Sequence, residues 1–155
     1  MSASGVTFDQ IFHSGPDPDD SDWTLLEPRD EEFFVRLFGP IRLKAEGPAR
    51  VRCRVRSELR HQNLIGTIHG GYIMALVDQV LFLCPHALGI KGGAGGATLD
   101  TSTQFFAPLV PEKPIDAVVD VLRETNRLIF MRGLIEQDGQ PAVAFSGTIR
   151  KSSAG

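Results

Sequence analysis

The sequence predicts an α+β domain in which an antiparallel sheet of five or six strands curls around one long central helix. In GGYIMALVDQVLFLC, residues 70–84, Ile73, Leu76, Val77, Val80, Leu81 and Cys84 recur at helical spacing, and only Asp78 and Gln79 interrupt the apolar surface. A helix apolar nearly all round has to be wrapped by other structure. On either side of it the period changes to two, as in ARVRCRVR, where Val51, Cys53 and Val55 alternate with Arg50, Arg52, Arg54 and Arg56, the pattern of a half-buried strand. Late in the chain Asp138-Gly139 separates two β-rich runs, a strong hairpin signal. At 155 residues the chain has the length of one domain.

Taken in order, the elements begin with an acidic arm, residues 1–40. Its stretch HSGPDPDDSD, residues 13–22, has little to bury and reads as a mobile connector. PRDEEFFVRLFGP then reads as a short helix over 28–39: a proline near the first turn, acids at the positive dipole end, Phe33, Phe34, Leu37 and Phe38 on one side, and Gly39-Pro40 as the stop. The main domain, 41–151, opens with a hairpin of 41–46 and 50–56 across Gly47-Pro48. The buried helix follows, then strands over 97–106, 115–123, 127–136 and 142–151 as an antiparallel meander. The loop Lys91-Gly-Gly-Ala-Gly-Gly96 lacks the order of a phosphate-binding loop and reads as a flexible helix-to-strand connection. The arginine row reads as a solvated face that discourages edge pairing.

Composition excludes several classes of function. The longest apolar run, 72–77, falls far short of the ~20 residues of a membrane span, and the N-terminus lacks the pattern of a signal peptide. Two cysteines, Cys53 and Cys84, supply no disulfide framework and no zinc spacing, so a cytoplasmic, reducing location is expected. The intervals of His61, His69 and His86 match no standard metal site. The net charge of -3 divides unevenly: residues 1–40 hold nine acids against Arg29 and Arg36, while the rest holds fourteen bases against ten acids. That excess is too small for nucleic-acid binding, but it favours a phosphorylated small molecule.

The segment Asn63-Leu-Ile-Gly66-Thr-Ile-His69-Gly70-Gly71-Tyr-Ile-Met-Ala-Leu76-Val-Asp78 resembles the signature of hotdog-fold acyl-CoA thioesterases of the phenylacetate-pathway (PaaI-like) group. The likeness continues through Thr98-Leu-Asp-Thr-Ser-Thr-Gln-Phe-Phe-Ala-Pro108 and covers about residues 41 to 151; it leaves the arm unaccounted for. The resemblance implies a hotdog fold and hydrolysis of an acyl-CoA, with coenzyme A as part of the substrate and no separate cofactor. It also implies a homodimer, expected to pair into a dimer of dimers, with each site between subunits. By position, Asn63 resembles the residue that helps hold the carbonyl or the attacking water, and His69 the residue that shapes the turn. Thr98 stands where the family has a hydroxyl beside the Asp.

The residues point to the same chemistry. A helix N-terminus offers unpaired N–H groups and a positive dipole end, and Gly70 and Gly71 let a ligand approach them. Such donors stabilise charge developing on a thioester oxygen, an effect worth ~2.7 to 4 kcal/mol per donor. Asp78 is the candidate base or nucleophile. It lies eight residues past Gly70, ~12 Å along the helix, whereas reacting groups must meet within about 3.5 Å. Two helices antiparallel across a twofold axis would bring each Asp78 to the other chain's Gly70. Cys84, among apolar neighbours, reads as helix core. A non-catalytic acyl-binding module is the alternative.

Overall fold

A computed structural model describes residues 6–153; the first five residues of the arm lie outside that range. One sheet of eight strands carries the chain: β1 (Phe12–Pro16), β2 (Thr24–Pro28), β3 (Ile41–Ala45), β4 (Arg50–Arg56), β5 (Ala97–Phe105), β6 (Pro114–Glu124), β7 (Leu128–Gln137) and β8 (Gln140–Arg150). Their order is β1-β2-β3-β4-β6-β7-β8-β5, and every neighbouring pair is antiparallel. A short helix α1 (Phe8–Ile11) precedes β1, and the long helix α2 (Gly70–Ala87) packs against the sheet. The α+β class and the wrapped helix are as the periodicity predicts.

Helix α2 buries Tyr72, Ile73, Leu76, Val77, Val80, Leu81, Leu83 and Cys84 against strand residues that include Val51, Cys53, Val55, Ile115, Val119, Ile135 and Ile149. At Gly147 of β8 a Cβ would overlap Leu81 Cδ1; this lack of a side chain lets the helix lie close on the sheet there. The helix outruns its expected end at Cys84 and includes Pro85. The turn Asp138-Gly139 has φ of 52° and 74°, the left-handed pair a two-residue hairpin needs.

The strand count exceeds the expected five or six because the arm is not a connector. Phe12–Pro16 pairs with Thr24–Pro28, which pairs with β3, so residues 12–28 extend the sheet as a hairpin. Phe12 and Leu26 are buried, and Asp17, at 3% exposure, pairs with Arg42. The chain's charge asymmetry thereby has a cause. Acids of the arm meet bases of β3, with Asp19 near Arg42 and Asp22 3.2 Å from Lys44. Trp23 stacks under Arg54, whose guanidinium lies 4.7 Å from the ring centroid.

The helix expected over 28–39 is also corrected. Pro28 ends β2, opposite Phe12, and the Asp30 carboxylate turns the chain by accepting from Glu32 N at 3.0 Å. Only a 3-10 turn, Phe34–Phe38, remains, stopped at Gly39 with φ of 62°. Its acids lie outside the helical residues, so no dipole effect operates.

The arginine row is likewise not a solvated edge. β4 lies inside the sheet, between β3 and β6. Arg50 meets Asp120 at 2.7 Å, Arg54 meets Asp116 at 2.6 Å, and Arg52 pairs with Glu46, Asp116 and Glu136. Nor does the glycine loop after α2 hang free: Ser152 N donates to Gly92 O at 2.9 Å, and a Cβ at Gly96 would strike the Arg150 carbonyl.

The arm gives a pH prediction. The backbone N–H of Asp19 and then the Arg42 guanidinium hold the Asp17 carboxyl below its ordinary 3.8. A carboxylate whose folded value is depressed contributes stability above its ordinary value, and that stability is lost as pH falls through the folded value. Acidification from about pH 5 downward is therefore expected to release the hairpin, reported by fluorescence of Trp23, the chain's one tryptophan. Asp17→Asn should flatten that response; an unchanged titration would detach it from Asp17.

Candidate active site

The N-terminus of α2 is shaped by its cap. His69 precedes the first helical residue, and its Nδ1 accepts from Gly71 N at 2.9 Å. That nitrogen therefore carries no proton, and Nε2–H is the imidazole's donor. A Cβ on Gly71 would stand 3.0 Å from Nδ1, tighter than ordinary contact, so the glycine lets this cap form. The cap also separates the two glycines chemically. Gly71 N–H is engaged, while Gly70 N–H, in the first helical position, has no acceptor within the helix. Of the two candidate donors, Gly70 is the one the fold leaves open.

Asn63 holds the loop ahead of the cap. Its Oδ1 accepts from Ile65 N and Thr67 N at 3.0 and 3.1 Å, and its Nδ2 donates to Thr67 Oγ1 at 2.8 Å. One amide hydrogen is left over. Asn63 and His69 line one cleft of about 820 Å³, together with Leu59, Arg60, Gln62, Leu64 and Ile65.

Asp78 and Thr98 form a second group. Thr98 Oγ1 donates to Asp78 Oδ1 at 2.6 Å, joining α2 to β5. A bulge between Thr98 and Asp100 offsets the ladder here, the kind of irregularity that re-aims a side chain. The bond leaves Oδ2 of the carboxylate unoccupied by protein and fixes the plane of the group. Asp78 is exposed on the protomer, so the protomer alone does not supply the burial that its apolar neighbours in sequence suggest.

Around these two groups exposed apolar side chains alternate with polar ones such as Asp100, Ser102 and Gln104 of β5. Met74 is 53% exposed, and it shares one face of α2 with exposed Asp78 and half-buried Gly71 and Ala75 at spacings of three and four. Beside it β5 ends the sheet with its outer edge unpaired, and Leu99, Phe105 and Phe106 are exposed. The Phe105 ring stands 3.6 Å from where a Gly70 Cβ would be. Sequence reasoning misses Phe105 because the strand pattern places it only within β5; its position beside the helix start depends on the β5–β8 register.

Cys84 is not poised as a nucleophile. Burial pushes the Cys84 thiol up to about 12, so it stays protonated and inert near neutrality. Among the described residues no three His, Cys, Asp or Glu side chains gather as a metal site would require, and no helix is long and apolar enough to cross a membrane.

Residues 65–144 match the thioesterase superfamily, a span that contains the cap, Asp78 and Thr98. The chain belongs to that superfamily. Human acyl-coenzyme A thioesterase 13 is 32% identical over 97 residues, covering 63% of this chain and 68% of the relative. Zebra fish thioesterase superfamily member 2 superposes with a TM-score of 0.68 at 22% identity, over 79% of this chain and 89% of that one. A point mutant of the phenylacetic acid degradation protein PaaI from Thermus thermophilus does so with 0.62 at 21% identity, over 77% and 98%. The two structural likenesses establish the fold: this thioesterase has a PaaI-like hotdog fold, its sheet including β1 and β2 from the arm.

Proposed function

We propose that this thioesterase hydrolyses acyl-CoA thioesters to the free acid and coenzyme A, in the reducing cytoplasm, as a homodimer able to pair into a tetramer, with each site shared between two protomers. Gly70 N–H of one protomer, with the spare amide hydrogen of Asn63, would hold the thioester oxygen. Asp78 of the other, oriented by Thr98, would take a proton from water as it adds to the carbonyl carbon. Collapse of the tetrahedral intermediate then expels the thiolate, and the proton held by Asp78 goes to the departing sulfur. Direct attack by the free Oδ2, giving an anhydride that water opens, uses the same groups.

The observation that carries this reading is the 2.6 Å Thr98–Asp78 hydrogen bond, set eight residues along α2 from the open N–H of Gly70. Within one chain the two half-sites lie ~12 Å apart, too far for one carbonyl. The Met74 face of α2 and the bare β5 edge, a surface soluble proteins ordinarily cover or charge, are where a second copy would close that gap. The test is thiol release from a panel of aliphatic and aromatic acyl-CoAs. Turnover of at least one well above background is expected; binding by calorimetry without thiol release would favour an acyl-binding module instead.

A further inference from the structure

His61 is the one buried histidine among the described residues, and the chemistry above makes no use of it. It stands at the base of a narrow loop that carries both candidate donors to the thioester oxygen. His69 N donates to His61 O at 2.8 Å, Gln62 bridges Ile68, and Asn63 N donates to Thr67 O at 2.7 Å. Residues 61–63 and 67–69 therefore run side by side, with Asn63 on one arm and the cap of α2 ending the other. The His61 ring adds two ties. Its Nδ1 accepts from Glu58 N at 2.9 Å, closing the 3-10 turn Leu59–His61, and its face lies on the Tyr72 ring, with centroids 4.3 Å apart and planes 24° from parallel. Tyr72 belongs to the first turn of α2 and donates its N–H to His69 O at 3.0 Å. One side chain thus fastens the base of the loop to the preceding turn and to the helix start.

The Nδ1 bond requires a neutral ring with its hydrogen on Nε2. Nε2 and the Tyr72 hydroxyl oxygen are buried without a hydrogen-bond partner, so the bond from Glu58 N is the ring's only one among the described residues. Burial and then the Arg60 guanidinium hold the ring below its ordinary 6.5, against the opposite pull of Glu58. The other titratable groups around it are Tyr72 of α2, with Cys53 of β4 acting on Tyr72, and His69 on the facing arm. A proton on Nδ1 would turn the acceptor into a second donor facing Glu58 N–H.

Resting on the acyl-CoA reading above, we propose that His61 is a positioning residue for the thioester-oxygen site: its neutral ring, tied to Glu58 N and stacked on Tyr72, fixes Gly70 N–H relative to the Asn63 amide. It touches no reacting atom. The two donors sit on opposite arms of one loop, and a misplacement of about 1 Å costs up to about 10²-fold in rate. Because such donors serve charge that develops on the oxygen, loosening them lowers kcat while leaving KM little changed. The positioning is present while the ring is neutral and is lost as pH falls through the ring's folded value, which lies below 6.5.

The test is the pH profile of kcat for wild type and two variants. His61→Asn supplies an acceptor oxygen in place of Nδ1 and cannot titrate, whereas His61→Phe keeps a ring against Tyr72 and removes the acceptor. At mildly alkaline pH His61→Phe should lower kcat about 10-fold or more with KM little changed, and His61→Asn should retain most of the wild-type kcat. On acidification His61→Asn should lose activity at lower pH than wild type. Asp78 and His69 are common to both proteins, so that difference belongs to His61. Superimposable acid limbs, or a His61→Phe kcat equal to wild type, would overturn the assignment. Turnover is not needed for the second readout: by NMR, the amide signals of Gly70 and of the Asn63 side chain in wild type should shift with titration of the His61 ring. Signals indifferent to that titration would overturn the assignment even if neither variant folds. If wild type hydrolysed no thioester, the acyl-CoA reading would fail separately, and the NMR titration would still decide this one.

Discussion

Asp78→Asn is expected to lower kcat for the best acyl-CoA by about 10²-fold or more, the scale for a positioned base, with KM little changed. The substitution is well suited to the question because it preserves shape. An asparagine oxygen can still accept from Thr98 Oγ1, as Oδ1 does now at 2.6 Å, so the geometry survives and only basicity and charge are removed. Asp78 is exposed on the protomer and forms no ion pair among the described residues, so its loss should leave the unfolding midpoint of the protomer essentially in place. A fall in kcat without a fall in stability separates a reacting carboxylate from a structural one. Turnover equal to wild type would remove Asp78 from the chemistry, under either the base or the nucleophile route.

Met74→Glu should abolish both association and activity. Met74 is 53% exposed and lies one turn before Asp78 on the same face of α2, so a glutamate there is tolerated by the isolated fold. If two copies of that face meet across a twofold axis, however, each glutamate is repeated near its symmetry mate, and like charges so placed cost several kcal/mol. The expected product is a folded monomer of 16.9 kDa by light scattering, with kcat/KM reduced about 10²-fold or more because neither half-site has its counterpart. A monomeric variant with undiminished turnover would show that one chain assembles the whole site.

Both expectations start from residues that can be picked out in the sequence, and the reason is local. The Gly70-Gly71 helix start and the Asp78 interval lie within one element, where a fixed rise per residue turns spacing into distance. The helix itself, the β3–β4 hairpin and the Asp138-Gly139 turn are encoded the same way, by periodicity and by backbone preference at single positions. The arm is legible only as charge. Proline and acids make 13–22 look unable to bury anything, and what they bury against, Arg42 and Lys44 of β3, is supplied by another part of the chain.

By itself, then, the sequence determined the class of fold, the buried helix, and which side chains could polarise a thioester or act on water. Tertiary structure decided which of them are available. It engaged Gly71 N–H with His69 and left Gly70 open, joined Thr98 to Asp78 through a bulged edge strand, and turned the arginines of β4 into ion pairs while leaving Arg56 unpaired among the described residues. The His69 cap is local, but the Thr98–Asp78 bond and the ion pairs of β4 with β6 depend on contacts between residues distant in the chain, such as the register of β5 on β8. Sequence period specifies which face a residue occupies, but not which distant group it will meet there.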